Sequence, residues 1–181
     1  MEQAKRRKPF DVEGCTSWRR SAIRNSAPEA WHGQVAQARG VRLIRYLLDT
    51  NVVSELRKPK PDRAAVSWLQ GLELGQGLFS AVTFGEIQKG VELTRRRDPV
   101  KANELEAWAA QLERTSKVLS MDAACFREYA RLMHRRSDTL GEDAMIAATA
   151  RVYGLTVATR NERDFAHFEV AVLNPFRHRA S

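Results

Sequence analysis

The chain has 181 residues, 43% of them hydrophobic, two cysteines and a formal net charge of +8, which is enough to bury one core and favours a single domain with an appendage. No apolar run reaches the roughly 20 residues that a membrane-spanning helix needs, and the opening MEQAKRRKPF lacks the apolar centre of a secretory signal, so a soluble, cytoplasmic protein with no membrane partner is expected. Cys15 and Cys125 have no metal-ligand spacing, and Cys125 falls in a helical pattern that suits a small buried thiol rather than a disulfide.

The charge is unevenly placed. Residues 1–45 carry ten Lys/Arg against four Asp/Glu, which accounts for +6 of the total. The remainder has no strongly positive field, so basicity alone does not argue for nucleic-acid binding by the foldable part. Residues 1–40 mix Arg, Lys, Ser, Gly and Pro with isolated Trp18 and Trp31, without a sustained period. They are expected to form a basic, disordered extension with one short helix from about Pro28 to Ala38.

From Val41 the texture changes. VRLIRYLLDT is an apolar run ending in polar cap residues, the pattern of a buried first strand. A short helix over Asn51 to Arg57 stops at Pro59 and Pro61, and Asp62 caps a second helix through Leu72. LFSAV is a second strand; Thr83 is expected to open a helix to about Arg97, and Asp98-Pro99 a longer one, the two forming a hairpin over the sheet. KVLSM, an Asp122-capped helix through Arg136, a Gly141-led helix through Tyr153, LTVAT and VAVL complete the pattern. Strands alternating with helices predict a three-layer α/β/α domain with a mostly parallel sheet.

Asp49, Glu86, Asp143 and Asp164 each fall where a strand ends or a helix begins, along the edge at which open α/β sheets bind ligands. Each has an ordinary explanation by itself. Asp49 can cap the helix after it, Glu86 completes a Thr83-x-x-Glu86 capping box, Asp143 offsets a helix dipole with Thr139 and Glu142 nearby as another box, and Asp164 can be a loop acid. Convergence on one edge is what sets them apart. Two unit charges about 4 Å apart cost roughly 4 kcal/mol at an effective dielectric of 20, and Lys89, the one lysine close in sequence to the first three acids, cannot neutralise them all. A hard divalent cation, Mg²⁺ or Mn²⁺, can. Such a site suits phosphodiester hydrolysis, with no histidine base or covalent nucleophile.

The segments YLLDTNVVSEL, LFSAVTFGEIQKGVE, GEDAMIAATARVYGLTVATRNERDF and VLNPF together resemble the PIN-domain ribonucleases, and within them the VapC and FitB type of toxins from type II toxin–antitoxin pairs. The resemblance runs from Ile44 to Phe176 and places a PIN-like nuclease domain at 41–178. It implies a metal-dependent endoribonuclease that pairs as a homodimer, takes RNA as substrate and is neutralised by a small antitoxin whose tail occupies the acidic pocket. It also implies that Asp49, Glu86 and Asp143 are catalytic metal-site acids. Many members have an acid where this chain has Asn161, so either Asp164 takes the fourth role or Asn161 serves as a neutral ligand. Thr50, Asn51 and Thr159 look like groups that orient the carboxylates.

Other polar residues have plainer accounts. His134 sits on a basic helix face with Arg131, Arg135 and Arg136, and His167 and His178 have no partner at metal-ligand spacing. Arg95, Arg96 and Arg97 end a helix, where positive charge is favourable, and are also candidates for touching an RNA backbone. Trp68 and Trp108 fit apolar helix faces. A phosphotransfer domain would need a DxD element or an acidic pair with a placed lysine, which LLDTN does not supply. The alternative that stays open is a non-catalytic PIN-like binding module. Because the first-strand motif usually lies near the start of family members, the leader is read as the product of a start site assigned too far upstream. Mass spectrometry of the natively expressed protein is expected to find no leader peptides, and their detection would overturn that reading.

Overall fold

The structure is a computed structural model that describes residues 44–134 and 140–178. The expected leader and its helix, the start of the first strand at Val41 and the Thr139 capping box lie outside the described residues; the helix expected to reach Arg136 ends at Met133, where His134 leaves helical geometry.

Five short strands form one sheet in the order β3-β2-β1-β4-β5: β1 (Tyr46–Leu48), β2 (Gly77–Ser80), β3 (Val118–Leu119), β4 (Thr156–Ala158) and β5 (Val172–Leu173). All four pairings are parallel. The helices are α1 (Thr50–Val53), α2 (Arg63–Gln70), α3 (Ala81–Arg95), α4 (Pro99–Thr115), α5 (Ala123–Met133), α6 (Gly141–Tyr153) and α7 (Glu162–Phe165), with single 3-10 turns at Ser54–Arg57, Ala166–Phe168 and Pro175–Arg177. The three-layer parallel α/β reading is borne out.

Register explains the layers. Leu47 lies beside Leu78 and Val157, and Leu48 beside Phe79 and Ala158. Successive strand residues point to opposite faces, so the first trio packs with Ala144, Ile146, Ala147 and Ala150 of α6 and with Phe165 and Phe168. The second trio packs with Val52 and Val53 of α1, Trp68 and Leu69 of α2, Ile87 of α3 and Ala109 and Leu112 of α4. Both faces are covered, which is why the strands are apolar runs rather than alternating ones. The α3–α4 hairpin lies over the second face, as the spacing predicts.

Most boundaries agree with the sequence reading, and Asp62, Asp98 and Asp122 each accept from a backbone N–H in the first turn of the helix that follows. One cap does not. Helix α3 starts at Ala81, capped by Ser80, whose hydroxyl accepts from the Val82 N–H at 3.2 Å. Thr83 is already inside the helix and buried, donating its hydroxyl to the Leu48 carbonyl at 3.3 Å. Strand β2 ends two residues before the end of the LFSAV run, because Ser80 caps the helix that follows. Cys125 is free and fully buried, and Trp68 is core, packed edge-to-face on Tyr46 with ring centres 5.0 Å apart. No described helix is long and apolar enough to cross a membrane.

Phe79 is fully buried at the centre of the second face, beside the ring of Phe84. Phe79→Ala is expected to cost about 3 to 5 kcal/mol through lost burial and a residual cavity. Leu93→Ala, at a site 59% exposed, should stay within about 0.5 kcal/mol. Urea unfolding of both variants checks the contrast.

Candidate functional site

The chain runs from β1 to β2 on one side and returns through β4 on the other, so the crevice beyond the ends of β1, β2 and β4 is a switch point of the topology. Asp49 follows β1 directly, and its N–H donates to the Ala158 carbonyl at 3.0 Å, which ties it to the end of β4.

The Asp49 side chain is 4% exposed and held by three neutral donors. Its Oδ1 accepts from the Thr50 N–H at 2.6 Å. Its Oδ2 accepts from the Thr159 hydroxyl at 2.6 Å and from the Asn51 amide. That amide also reaches the Thr159 hydroxyl oxygen at 3.0 Å, while the Asn51 carbonyl oxygen accepts from the Arg160 N–H at 3.0 Å. A residue pair more than a hundred positions away is therefore locked to the β1 end through side chains. Thr50, the next residue, points its hydroxyl at the Glu86 carboxylate on α3.

That contact corrects one expectation. Glu86 does not close a capping box with Thr83. It sits well inside a helix capped by Ser80, and its carboxylate is turned to Thr50. The capping reading of Asp49 is correct as far as it goes, since Asp49 does cap α1, but the same carboxylate takes the Asn51 and Thr159 donors as well.

Asp143, in the first turn of α6, and Asp164, in the one-turn helix α7, complete the group. Electrostatics joins the four. Burial pushes the Asp49 carboxyl up; the Thr159, Thr50 and Asn51 donors pull it back, and the Asp164 charge raises it again. Burial also raises Glu86, opposed by the Thr50 hydroxyl and reinforced by Asp49, Glu142 and Asp143. Asp143 is pushed up to about 6, first by burial and then by Asp49, Asp164 and Glu142. Asp49, Glu86 and Asp143 are thus each raised in part by the charge of a neighbouring carboxylate, as groups sharing one crevice are.

Among the described residues, no lysine or arginine pairs with Asp49, Glu86, Asp143 or Asp164. The ion pairs among the described residues lie elsewhere, and Lys89, the lysine nearest in sequence, pairs with Glu142 at 3.1 Å. Nor do described residues donate a hydrogen bond to the side chains of Asp143 or Asp164. No three His, Cys, Asp or Glu groups among the described residues form a ready-made ligand set. An open, all-oxygen arrangement fits the Mg²⁺ type of ion, which keeps several waters and uses one or two carboxylates, and does not fit a closed structural zinc site.

Asn161 takes a different place. Its N–H donates to the Thr159 hydroxyl oxygen at 2.9 Å, and its exposed side chain lines a neighbouring cleft with Asp164. His134, His167 and His178 are exposed and outside the crevice. Arg95 pairs with Glu106 at 2.9 Å and with Asn103 at 2.8 Å. The sequence reading missed Glu142 as part of the anionic surroundings, although its position next to Asp143 was a signal. It also missed Arg160 and buried Glu55, for which spacing gave none.

A family model described as the PIN domain matches residues 46–171. Among curated proteins, the chain is 34% identical over 137 residues to the toxin FitB of Neisseria gonorrhoeae, covering 72% of this chain and 97% of that one. It is 34% identical over 137 residues to the VapC ribonuclease Y4jK of Sinorhizobium fredii, covering 72% and 96%. Among solved structures, FitAB bound to an IR36 DNA fragment superposes with a TM-score of 0.64 at 34% identity, covering 75% of this chain and 98% of that chain. The acids at the crossing of β1, β2 and β4 thus stand in a fold shared with named toxins and ribonucleases, and the chain belongs to the PIN-domain family.

Proposed function

We propose that the protein is a Mg²⁺- or Mn²⁺-dependent endoribonuclease acting as the VapC-like toxin of a type II toxin–antitoxin system. The observation that carries this reading is a crevice of carboxylates that raise one another's pKa, with no ion pair to any of the four among the described residues. Relatives named as a toxin and as a ribonuclease support it from the side of similarity. So does the FitAB assembly for a protein partner, which here would be a small antitoxin, with the toxin a cytoplasmic homodimer.

Asp49, Glu86 and Asp143 would hold the ion, and Asp164 would complete the site in preference to Asn161, because its charge is felt by both Asp49 and Asp143. When bound, a divalent ion lowers the pKa of a water and neutralises charge on the phosphoryl oxygens. The chain's own part is orientation. The Thr50 N–H, Asn51 amide and Thr159 hydroxyl fix the Asp49 oxygens, and the Thr50 hydroxyl fixes Glu86. These donors set the two carboxylates without neutralising them, so their charge stays available to a cation.

Loss of an orienting group commonly costs 10- to 100-fold in metal affinity or activity, so loss of a ligand should cost more than about 100-fold. Asp49→Asn is expected to reduce RNA cleavage beyond that factor and to abolish toxicity, with the circular dichroism spectrum retained. Wild-type protein should take up Mn²⁺ in calorimetry and the variant should not. Undiminished metal-dependent cleavage by a clean preparation of the variant would refute the assignment.

The pH dependence has a definite sign. A carboxyl whose folded pKa lies above its free value binds more protons when folded than when unfolded, so stability falls as pH rises through the interval between the two. For Asp143 that interval ends at about 6, and the raised Asp49 and Glu86 act in the same direction. Metal-free protein should therefore lose thermal stability between about pH 4 and 6 from these groups. Saturating Mg²⁺ should offset the loss, since the ion binds the deprotonated forms. Asp143→Asn should flatten the metal-free curve and raise Tm at pH 7.5. Thermal melts in chelator and in Mg²⁺ across this range check it.

A further inference from the structure

Beside the carboxylates lies a cleft of about 260 Å³ lined by Arg160, Asn161, Glu162, Arg163, Asp164 and Arg177. Asp164 forms a wall common to both. Within the cleft, Glu162 and Arg177 cancel as an ion pair at 3.1 Å, and Glu162 also accepts the Asn174 amide at 2.6 Å. Asp164 adds a second carboxylate, so the lining sets three arginines against two acids. What is left is positive. Exposed Arg163 makes no side-chain hydrogen bond or ion pair with the described residues, and neither does the Asn161 amide.

Arg160 is built into the cleft from behind. Its N–H is held by Asn51, its guanidinium lies 3.8 Å from the ring centre of Phe176, and one nitrogen is 3.9 Å from the carboxylate of Glu55. Glu55 is 2% exposed and already has nearer partners, the Lys58 ammonium at 2.6 Å and the Asp62 N–H at 2.9 Å. Burial pushes Glu55 up, but these donors and the Arg160 charge outweigh it and hold the carboxyl low, so it stays a fixed anion that pins Arg160. At 3.9 Å the pairing is loose, and half of the Arg160 side chain remains open.

We infer that this cleft binds a backbone phosphate of the RNA strand flanking the one that is cut, with Arg160 and Arg163 as charged donors and Asn161 as a neutral one. The inference rests on the nuclease reading and adds to it the place where the strand is gripped. A polyanion approaching four carboxylates is repelled wherever no cation intervenes, so the strand needs positive charge at the next phosphate too. Guanidinium supplies it with a planar fork matched to phosphate oxygens. An occupant that runs from the acidic crevice into an adjoining basic cleft carries anionic groups at short, regular spacing. A nucleic-acid strand has that property, and a protein segment has it only when densely acidic.

The test uses the full chain and a short fluorescein-labelled single-stranded RNA of mixed sequence. Arg163→Gln and Arg160→Gln are compared with Arg160→Lys, which keeps charge but not the fork or the stacking. For single strands each phosphate contact contributes about 0.7 to the slope of log K against log salt. Anisotropy in chelator should therefore show Arg163→Gln binding roughly eightfold more weakly at about 50 mM salt and about fourfold at about 150 mM. Cleavage in Mg²⁺ should show KM rising with kcat little changed, while Mn²⁺ uptake by calorimetry stays at the wild-type level. Arg160→Lys should fall between wild type and Arg160→Gln. If wild type binds and cleaves RNA but Arg163→Gln matches it in affinity and salt slope, the inference is overturned and the nuclease reading stands. A wild-type protein that neither binds nor cleaves RNA overturns both.

Discussion

The structure turns on one problem, that of holding carboxylates close together without neutralising them. The solution at Asp49 is a cage of neutral donors. A backbone N–H, an amide and a hydroxyl fix both oxygens of a 4% exposed side chain. A lysine or arginine in that position would have been a more stabilising partner for the carboxylate. It would also have consumed the charge. Neutral donors orient the group and offset part of its desolvation cost without pairing its charge with a cation.

The rest of the fold can be read as support for that cage. Three donors come from chain segments separated by the whole domain, since Thr50 and Asn51 follow β1 whereas Thr159 follows β4. They meet because β1 and β4 are hydrogen-bonded neighbours in register, Leu48 beside Ala158. A slip of one residue would turn Asp49 and Thr159 to opposite faces. The two apolar faces, Leu47 with Leu78 and Val157 against α6, and Leu48 with Phe79 and Ala158 against α1 to α4, make such a slip costly. Packing of the core and geometry of the site are thus one constraint seen from two ends.

Charge is segregated around the crevice at short range. The acids lie at the end of β1, on α3 and in the first turns of α6 and α7, and the guanidinium groups of Arg160 and Arg163 lie just past β4. Several other basic side chains are paired, Arg95 with Glu106 and Glu92, Arg151 with Glu128 and Lys89 with Glu142. The overall charge of +8 therefore says little about function. The local balance around Asp164 says more.

Strands, helices, layer order and the acids at the sheet edge were legible in the sequence, because each rests on local chemistry. Apolar runs predict buried strands, and Asp62, Asp98 and Asp122 announce helix starts by capping them. Where a local rule competes with a distant partner, sequence is silent. Thr83 and Glu86 satisfy a capping box on paper, but Ser80 caps the helix, Thr83 turns to the Leu48 carbonyl and Glu86 to Thr50. The same is true of Glu55, whose burial beneath Arg160 depends on two loops meeting. Sequence by itself determined which residues carry charge and where elements begin, since those follow from side-chain type and near neighbours. Tertiary structure alone decided which of these groups face one another, because a hydrogen bond or a repulsion acts through space and the sheet register sets that space.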